Sequence, residues 1–191
     1  MSTREHVFGV VAALQPVLQG VSATDLDRPS PCEDWSVRKV ADHLLGTVEA
    51  MRRVGAGEPL DAQDPWGTSG GHLEDSWRDD LGDLLTAWAT AWSQPEAWEG
   101  DAMDGAVPRE QIGKMGYVEV ILHGWDIAAG TGRELELSEG AVAEALEVMG
   151  EIGEQGRSMH AFGPEVSVDD DASDLDRVLA RSGRDPEWSR D

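Results

Sequence analysis

Residues 109–130 read REQIGKMGYVEVILHGWDIAAG, and this stretch decides the fold. Ile112, Met115, Val118, Ile121, Leu122, Trp125, Ile127, Ala128 and Ala129 recur at helical spacing. The pattern predicts a helix over about 109–130, ended by Gly130 or Gly132. Within it Glu119 and His123 stand four residues apart. Side chains at that spacing share a helix face, with Cβ atoms about 5–6 Å apart. A carboxylate and an imidazole so placed can reach one metal ion, so the same segment is a structural element and a candidate site.

Three more helices of this kind precede it. Val7, Val10, Val11, Leu14, Val17 and Leu18 follow a 3.6-residue period and predict an amphipathic helix over 4–19, with Pro16 expected to kink or loosen its last turn. Ser36 is placed to cap a second helix carrying Val37, Val40, Ala41, Leu44, Leu45, Val48 and Met51, which Gly55 and Gly57 end. Trp77, Leu81, Leu84, Trp88 and Trp92 form the stripe of a third. Four striped helices predict an all-α four-helix bundle, with a core over about 4–132. A short, mainly helical extension follows over about 133–191, so residues 1–191 read as one domain. In that extension, 138–155 predicts a helix, 164–168 an extended piece and 174–182 a short helix whose acidic start includes the run Asp169 to Asp171. Residues 55–71 hold five Gly and two Pro and read as a long loop, a candidate lid.

Composition narrows the function. The chain has 15 Lys+Arg against 38 Asp+Glu, a formal net charge of −23. Nucleic-acid binders need a basic footprint to neutralise phosphates, and no basic cluster longer than Arg52-Arg53 occurs. Adsorption to an anionic membrane is disfavoured for the same reason. No apolar run approaches the length of a membrane span, and the first residues lack the basic and apolar regions of a signal peptide, so a cytoplasmic protein is expected. The single cysteine, Cys32, excludes an intramolecular disulfide and suits a reducing compartment. Lys occurs only at positions 39 and 114 and Asn is absent, the mark of a GC-rich genome.

His43 lies on the second helix, between Val40 and Thr47 at helical spacing, which sets it toward the inward face. If the second and fourth helices are neighbours, His43, Glu119 and His123 converge into a His₂Glu set, a common pattern for catalytic zinc. The same residues also suit a plain reading, an i,i+4 hydrogen bond with a satisfied core histidine. Asp126 either orients a ligand histidine or caps an exposed turn; Trp125 either lines the pocket or fills the bundle core. Trp35 reads as an anchor for the loop before the second helix, Arg38 as a partner for a carboxylate or a solvated charge, and Cys32 as a small packing residue rather than a nucleophile. His160 could approach the site from the C-terminal segment.

Two segments carry a family resemblance. Residues 31–46, PCEDWSVRKVADHLLG, resemble the signature Pro-Cys-x-x-Trp-[Ser/Thr]-Val-Arg-x-x-x-x-His-Leu. Residues 119–128, EVILHGWDIA, resemble its second signature, Glu-x-x-x-His-x-Trp-Asp-[Leu/Ile]-Ala. Phe162-Gly163-Pro164, Leu175 to Leu179 and Gly183 to Trp188 complete the likeness, which runs from about residue 7 to 188. By these motifs the chain is similar to the DinB-like, mycothiol-dependent maleylpyruvate isomerase N-terminal-type metal-binding proteins.

The resemblance implies a DinB-like four-helix bundle and a divalent metal, usually zinc, held by His43, Glu119 and His123. Three histidines serve in other DinB-like proteins, so Glu119 points to the isomerase-like branch. Relatives use mycothiol or another small thiol in isomerisation or thiol transfer, and an actinobacterial source would fit the codon bias. The expected partners are a small thiol and a small electrophilic substrate, in a monomer or homodimer. The isomerase carries a separate C-terminal domain, whereas only about sixty residues follow the fourth helix here, so maleylpyruvate isomerisation itself is not expected. The expected chemistry is activation of a thiolate by the metal, followed by attack on an electrophilic carbon. The alternative is a metal- or small-molecule-binding bundle without turnover.

Overall fold

The structure, a computed structural model, describes residues 2–32 and 34–190. Six α-helices follow one another: α1 (Thr3–Gly20), α2 (Val37–Ala56), α3 (Trp77–Trp92), α4 (Arg109–Thr131), α5 (Glu139–Ser158) and α6 (Asp174–Arg181). A two-residue hairpin, β1 (Asp101–Ala102) with β2 (Val107–Pro108), leads into α4. The all-α expectation is met, and α1 to α4 form the bundle.

Packing orders the four helices as a ring. α2 packs on α3 and α4, and α1 packs on the same two, so α1 and α2 lie across a diagonal. This makes α2 and α4 neighbours, the condition that the candidate metal set required. α5 lies over α1 and α4, and α6 packs on α5. The predicted stripes are the buried faces: Val7, Leu14, Leu44, Leu81, Leu85, Ile112 and Ile121 are wholly buried. Each such side chain removed from water contributes about 1.5–3 kcal/mol.

Polar handles on the large aromatic side chains fix how the helices lie against one another. Trp92 Nε1 donates to the carbonyl of Met51 at 3.0 Å, tying α3 to the end of α2. Tyr117 Oη donates to the carbonyl of Ala141 at 2.9 Å, tying α4 to α5. Buried Trp and Tyr usually find such partners, and both anchors join elements remote in sequence.

Helix ends follow the expected chemistry with one difference. Ser36 caps α2 through Lys39 N–H, and Gly57 and Gly132 close α2 and α4 in the left-handed conformation. Pro16 lies inside α1, which runs on to Gly20 as the 4–19 reading expects. The run Asp169 to Asp171 is not the start of α6. Ser173 takes that role, its Oγ accepting from Asp176 N–H while Asp176 accepts from Ser173 N–H, and this reciprocal cap sets the helix start after the acidic run. Residues 164–168 form no strand; this stretch is held beside α6 by Val166 N–H donating to the Ala180 carbonyl at 3.0 Å.

The long loop between α2 and α3 is a strap laid along α2. Asp42 accepts the backbone N–H groups of Gly71, His72 and Leu73 at 2.9, 2.6 and 2.8 Å. Farther along, Gly46 and Gly67 meet backbone to backbone: a Cβ on Gly46 would lie 1.9 Å from the Gly67 carbonyl oxygen. Only glycine permits this approach. Gly46→Ala is therefore expected to lift the strap at a cost of about 1–3 kcal/mol. Limited proteolysis checks this: cleavage within 58–73 should accelerate in the variant and leave the bundle fragments intact.

Candidate metal centre

α2 supplies His43, and α4 supplies Glu119, His123 and Asp126. Their ligand atoms meet where the two helices pack. His43 Nε2 lies 2.8 Å from Glu119 Oε1, and His123 Nε2 lies 3.5 Å from the same oxygen. One donor atom from each of the three lies within 4.8 Å of those of the other two.

Behind this cluster sits a buried ion pair. Asp126 is fully buried and receives Arg184 through two bonds, Nε to Oδ1 at 2.8 Å and Nη2 to Oδ2 at 2.6 Å. Burial pushes the Asp126 carboxyl up, but the Arg184 charge and its hydrogen bonds bring it below the ordinary carboxylate range. Asp126 is thus a carboxylate, able only to accept. His123 Nδ1, 2.8 Å from Asp126 Oδ2, must then be the donor. In the neutral imidazole this tautomer places the lone pair on Nε2, toward Glu119 and His43. Arg184 Nη2 comes within 3.4 Å of His123 Nδ1 because both donate to one carboxylate.

Arg184 reaches this place from the C-terminal segment. Gly183 turns the chain in the left-handed region just after α6, and Arg184 N–H donates to the Leu179 carbonyl at 3.0 Å. Ser182 Oγ accepts from Arg184 Nη1 at 3.1 Å. The guanidinium is buried, and Nε, Nη1 and Nη2 each donate one bond.

Trp35 forms the next wall. Its ring lies parallel to His123 at 5.8 Å and edge-on to His43 at 5.0 Å, while Lys39 Nζ sits over the same ring at 4.6 Å from its centroid. The loop before α2 holds it there, with the Trp35 carbonyl accepting from Ser30 N–H and Oγ. A cavity of about 610 Å³ opens over the cluster, and Trp35, Trp66, Thr68, His160 and Arg184 are among its walls. His160 enters it from the left-handed turn that ends α5.

The donor set fits a divalent ion. Around a tetrahedral centre with ligand bonds of about 2.0–2.2 Å, neighbouring donors sit roughly 3.4 Å apart. The observed 3.5 and 2.8 Å bracket that spacing. Burial would raise the Glu119 carboxyl, but His123 and His43 bring it down to about 2, so it is ionised. A second grouping, Cys32 with His123 and Asp126, is compact but chemically committed elsewhere. Its carboxylate and Nδ1 are spent on one another and on Arg184, and burial with the nearby Asp126 charge pushes the Cys32 thiol up to about 11.

The sequence-predicted residues therefore separate cleanly. His43, Glu119 and His123 converge, and Asp126 stands behind them on His123. Trp125 is half-buried against the core and is not a wall of the cavity described above. Arg38 pairs with Asp27 at 3.2 Å on the surface. Two residues were not foreseen in their roles. Trp35 faces the site rather than merely anchoring a loop, and Arg184 was noticed only as part of a motif. A chain with few cations and a buried Asp126 needs one cation inside, and that was the available signal.

An all-α DinB-like bundle with a His₂Glu cluster at the contact of two of its helices defines the class. Residues 9–128, well over half of the chain, match the mycothiol maleylpyruvate isomerase N-terminal domain family, and the chain belongs to it. Two uncharacterized proteins from two strains of Mycobacterium tuberculosis are each 26% identical over 139 residues, which is 70% of this chain and 70% of each relative. Among solved structures, a histidine-to-alanine mutant of the mycothiol-dependent maleylpyruvate isomerase superposes with a TM-score of 0.52. The match covers 82% of this chain and 73% of that one at 17% identity, a likeness of fold.

Breaking the buried pair should be costly and repairable. Removing one partner of a buried ion pair typically costs about 3–5 kcal/mol, whereas replacing both by apolar groups is often neutral. Arg184→Met is expected to lower stability in that range, and Arg184→Met with Asp126→Leu to regain most of it. Urea unfolding of wild type, Arg184→Met, Asp126→Leu and the double variant measures the coupling.

Proposed function

We propose that this chain is a metal-dependent enzyme of small-thiol chemistry, in which His43, Glu119 and His123 hold a divalent ion, zinc by donor type. The observation that carries the reading is the convergence of His43 Nε2, Glu119 Oε1 and His123 Nε2, with His123 oriented by Asp126. Three protein donors leave a coordination position open, the pattern of catalytic rather than structural zinc sites. When bound, the ion supplies positive charge that favours a small thiol as its thiolate. The family and the solved relative, a mycothiol-dependent isomerase, support mycothiol as that thiol.

The protein's own groups have separable tasks. Asp126 holds the proton of His123 on Nδ1 and so keeps Nε2 available. Its charge is cancelled by Arg184, so the ligand set carries only the charge of Glu119. A divalent ion in that set leaves a net single positive charge, suited to an anionic sulfur. Trp35 packs on both imidazoles and limits the orientations they can take. The reaction class is addition of the thiol sulfur to an electrophilic carbon, by transfer or by reversible addition that leads to isomerisation. Bundle and extension act as one unit, because residue 184 of the extension completes the support of a ligand on α4. Cys32 takes no part as a nucleophile, since its raised thiol would be protonated at neutral pH.

Metal analysis and conjugation assays test the reading together. Purified wild type is expected to retain one divalent ion per chain, and His43→Ala and His123→Ala to lose it. Wild type incubated with mycothiol and a panel of electrophiles should yield thioether or isomerised product, and both variants should yield none. Full metal retention by the variants would remove the site; metal retention by wild type without product from any thiol would leave a binding protein.

A further inference from the structure

A second, smaller cavity of about 240 Å³ lies against the first. The two meet along Met51, Trp66, Met115, Glu119 and Met159, so Glu119 borders both. Beyond that shared border the smaller cavity is walled by Val107, Val118, Ile152 and Phe162, with Gln111 and Gln155 as its polar members. Those two amides satisfy one another, Gln111 Nε2 donating to Gln155 Oε1 at 2.9 Å. Apart from Glu119, no charged side chain among the described residues lines this space.

Cations near it are engaged elsewhere. Lys114 pairs with Glu110 at 2.8 Å and Glu151 at 2.6 Å on the outer face of α4. Arg157 donates to the Arg181 carbonyl at 2.9 Å. In the larger cavity the charge of Arg184 is paired with the Asp126 carboxylate. A carboxylate-bearing molecule entering the smaller cavity would thus lose its water without gaining an arginine or lysine, and would meet the charge of Glu119 at the border. Burying an unpaired charge in that way is strongly unfavourable. The net charge of −23 adds a repulsive field outside. Apolar groups meet the opposite conditions. An apolar cavity of about 150 Å³ already accepts a benzene-sized molecule, so the observed space takes a larger aryl or branched alkyl group. Three methionines on the border supply adaptable, polarizable walls.

We infer that the smaller cavity binds the uncharged apolar group of the second substrate and holds it beside Glu119, so that the enzyme selects aryl- or alkyl-bearing electrophiles over carboxylates. This rests on the function proposed above for the metal cluster, but the cavity can be tested apart from it. 1-Naphthol, which is neutral and has no electrophilic carbon, serves as the ligand, and maleate serves as the anionic comparison. Isothermal titration of zinc-loaded wild type should show one saturable naphthol site and no binding of maleate. Ala106→Trp and Gln111→Trp each add an indole at a lining residue of the smaller cavity that is not fully buried and is not a member of the His₂Glu cluster. Each is expected to weaken naphthol by about tenfold or more, a loss of about 1.4 kcal/mol. Retained zinc content in both variants shows that the cluster is undisturbed. His43→Ala should lose zinc and still bind naphthol. Unchanged naphthol affinity in both Trp variants, or displacement of naphthol by maleate, overturns the inference. Naphthol binding that the Trp variants abolish, in a wild type that holds no zinc, supports the cavity assignment and overturns the metal reading instead.

Discussion

The paired charges of Asp126 and Arg184 are the constraint on which the site depends. Two ions taken out of water cost several kcal/mol each, and only close, fully hydrogen-bonded geometry offsets that. Here both carboxylate oxygens are engaged, by two guanidinium nitrogens and one imidazole nitrogen. One arrangement thereby does three things. It keeps Asp126 ionised, it sets the His123 proton on Nδ1, and it fastens the segment after α6 to α4. The extension is not decoration on the bundle, because the ligand face of α4 is held from behind by it.

The bundle itself was legible because its signal is redundant. Each of α1 to α4 carries a full apolar stripe, and capping residues such as Ser36, Gly57 and Gly132 mark most of the ends. Pro16 sits within α1, whose apolar face is buried, and the helix continues past it to Gly20. The acidic run before α6 misled because dipole complementarity is weaker than a reciprocal cap. Ser173 and Asp176 satisfy two backbone groups at once, which places the helix start after Asp171. The strap was readable as a loop but not as a fixed one. Its anchors are backbone N–H groups bonded to Asp42, and no side-chain pattern announces those.

In the site, local spacing revealed Glu119 and His123, helical spacing set His43 toward the inward face, and the family-like motifs joined the three. Their convergence depended on α2 and α4 being neighbours, which no periodicity specifies. Trp35 and Arg184 escaped because their roles exist only in three dimensions. Trp35 precedes a helix and looked like an anchor, yet its ring packs against both ligand imidazoles. Arg184 is 58 residues from Asp126 in the chain, beyond the reach of any local rule.

The strong acidity of the chain, which first served only to exclude nucleic acid and anionic membranes, now bears on the chemistry. Anionic small molecules are repelled at a distance, and the Arg184 charge at the site is already paired with Asp126. Glu119 is set apart from the other acidic residues: it is largely buried and ionised between two imidazoles. The most direct measurement is X-ray absorption at the zinc edge of the loaded protein, before and after mycothiol is added. Two imidazole nitrogens and a carboxylate oxygen, with no sulfur until the thiol arrives and one sulfur at about 2.3 Å afterwards, are predicted. Sulfur in the first shell without added thiol, or fewer than two imidazoles, would contradict the His43, Glu119, His123 centre.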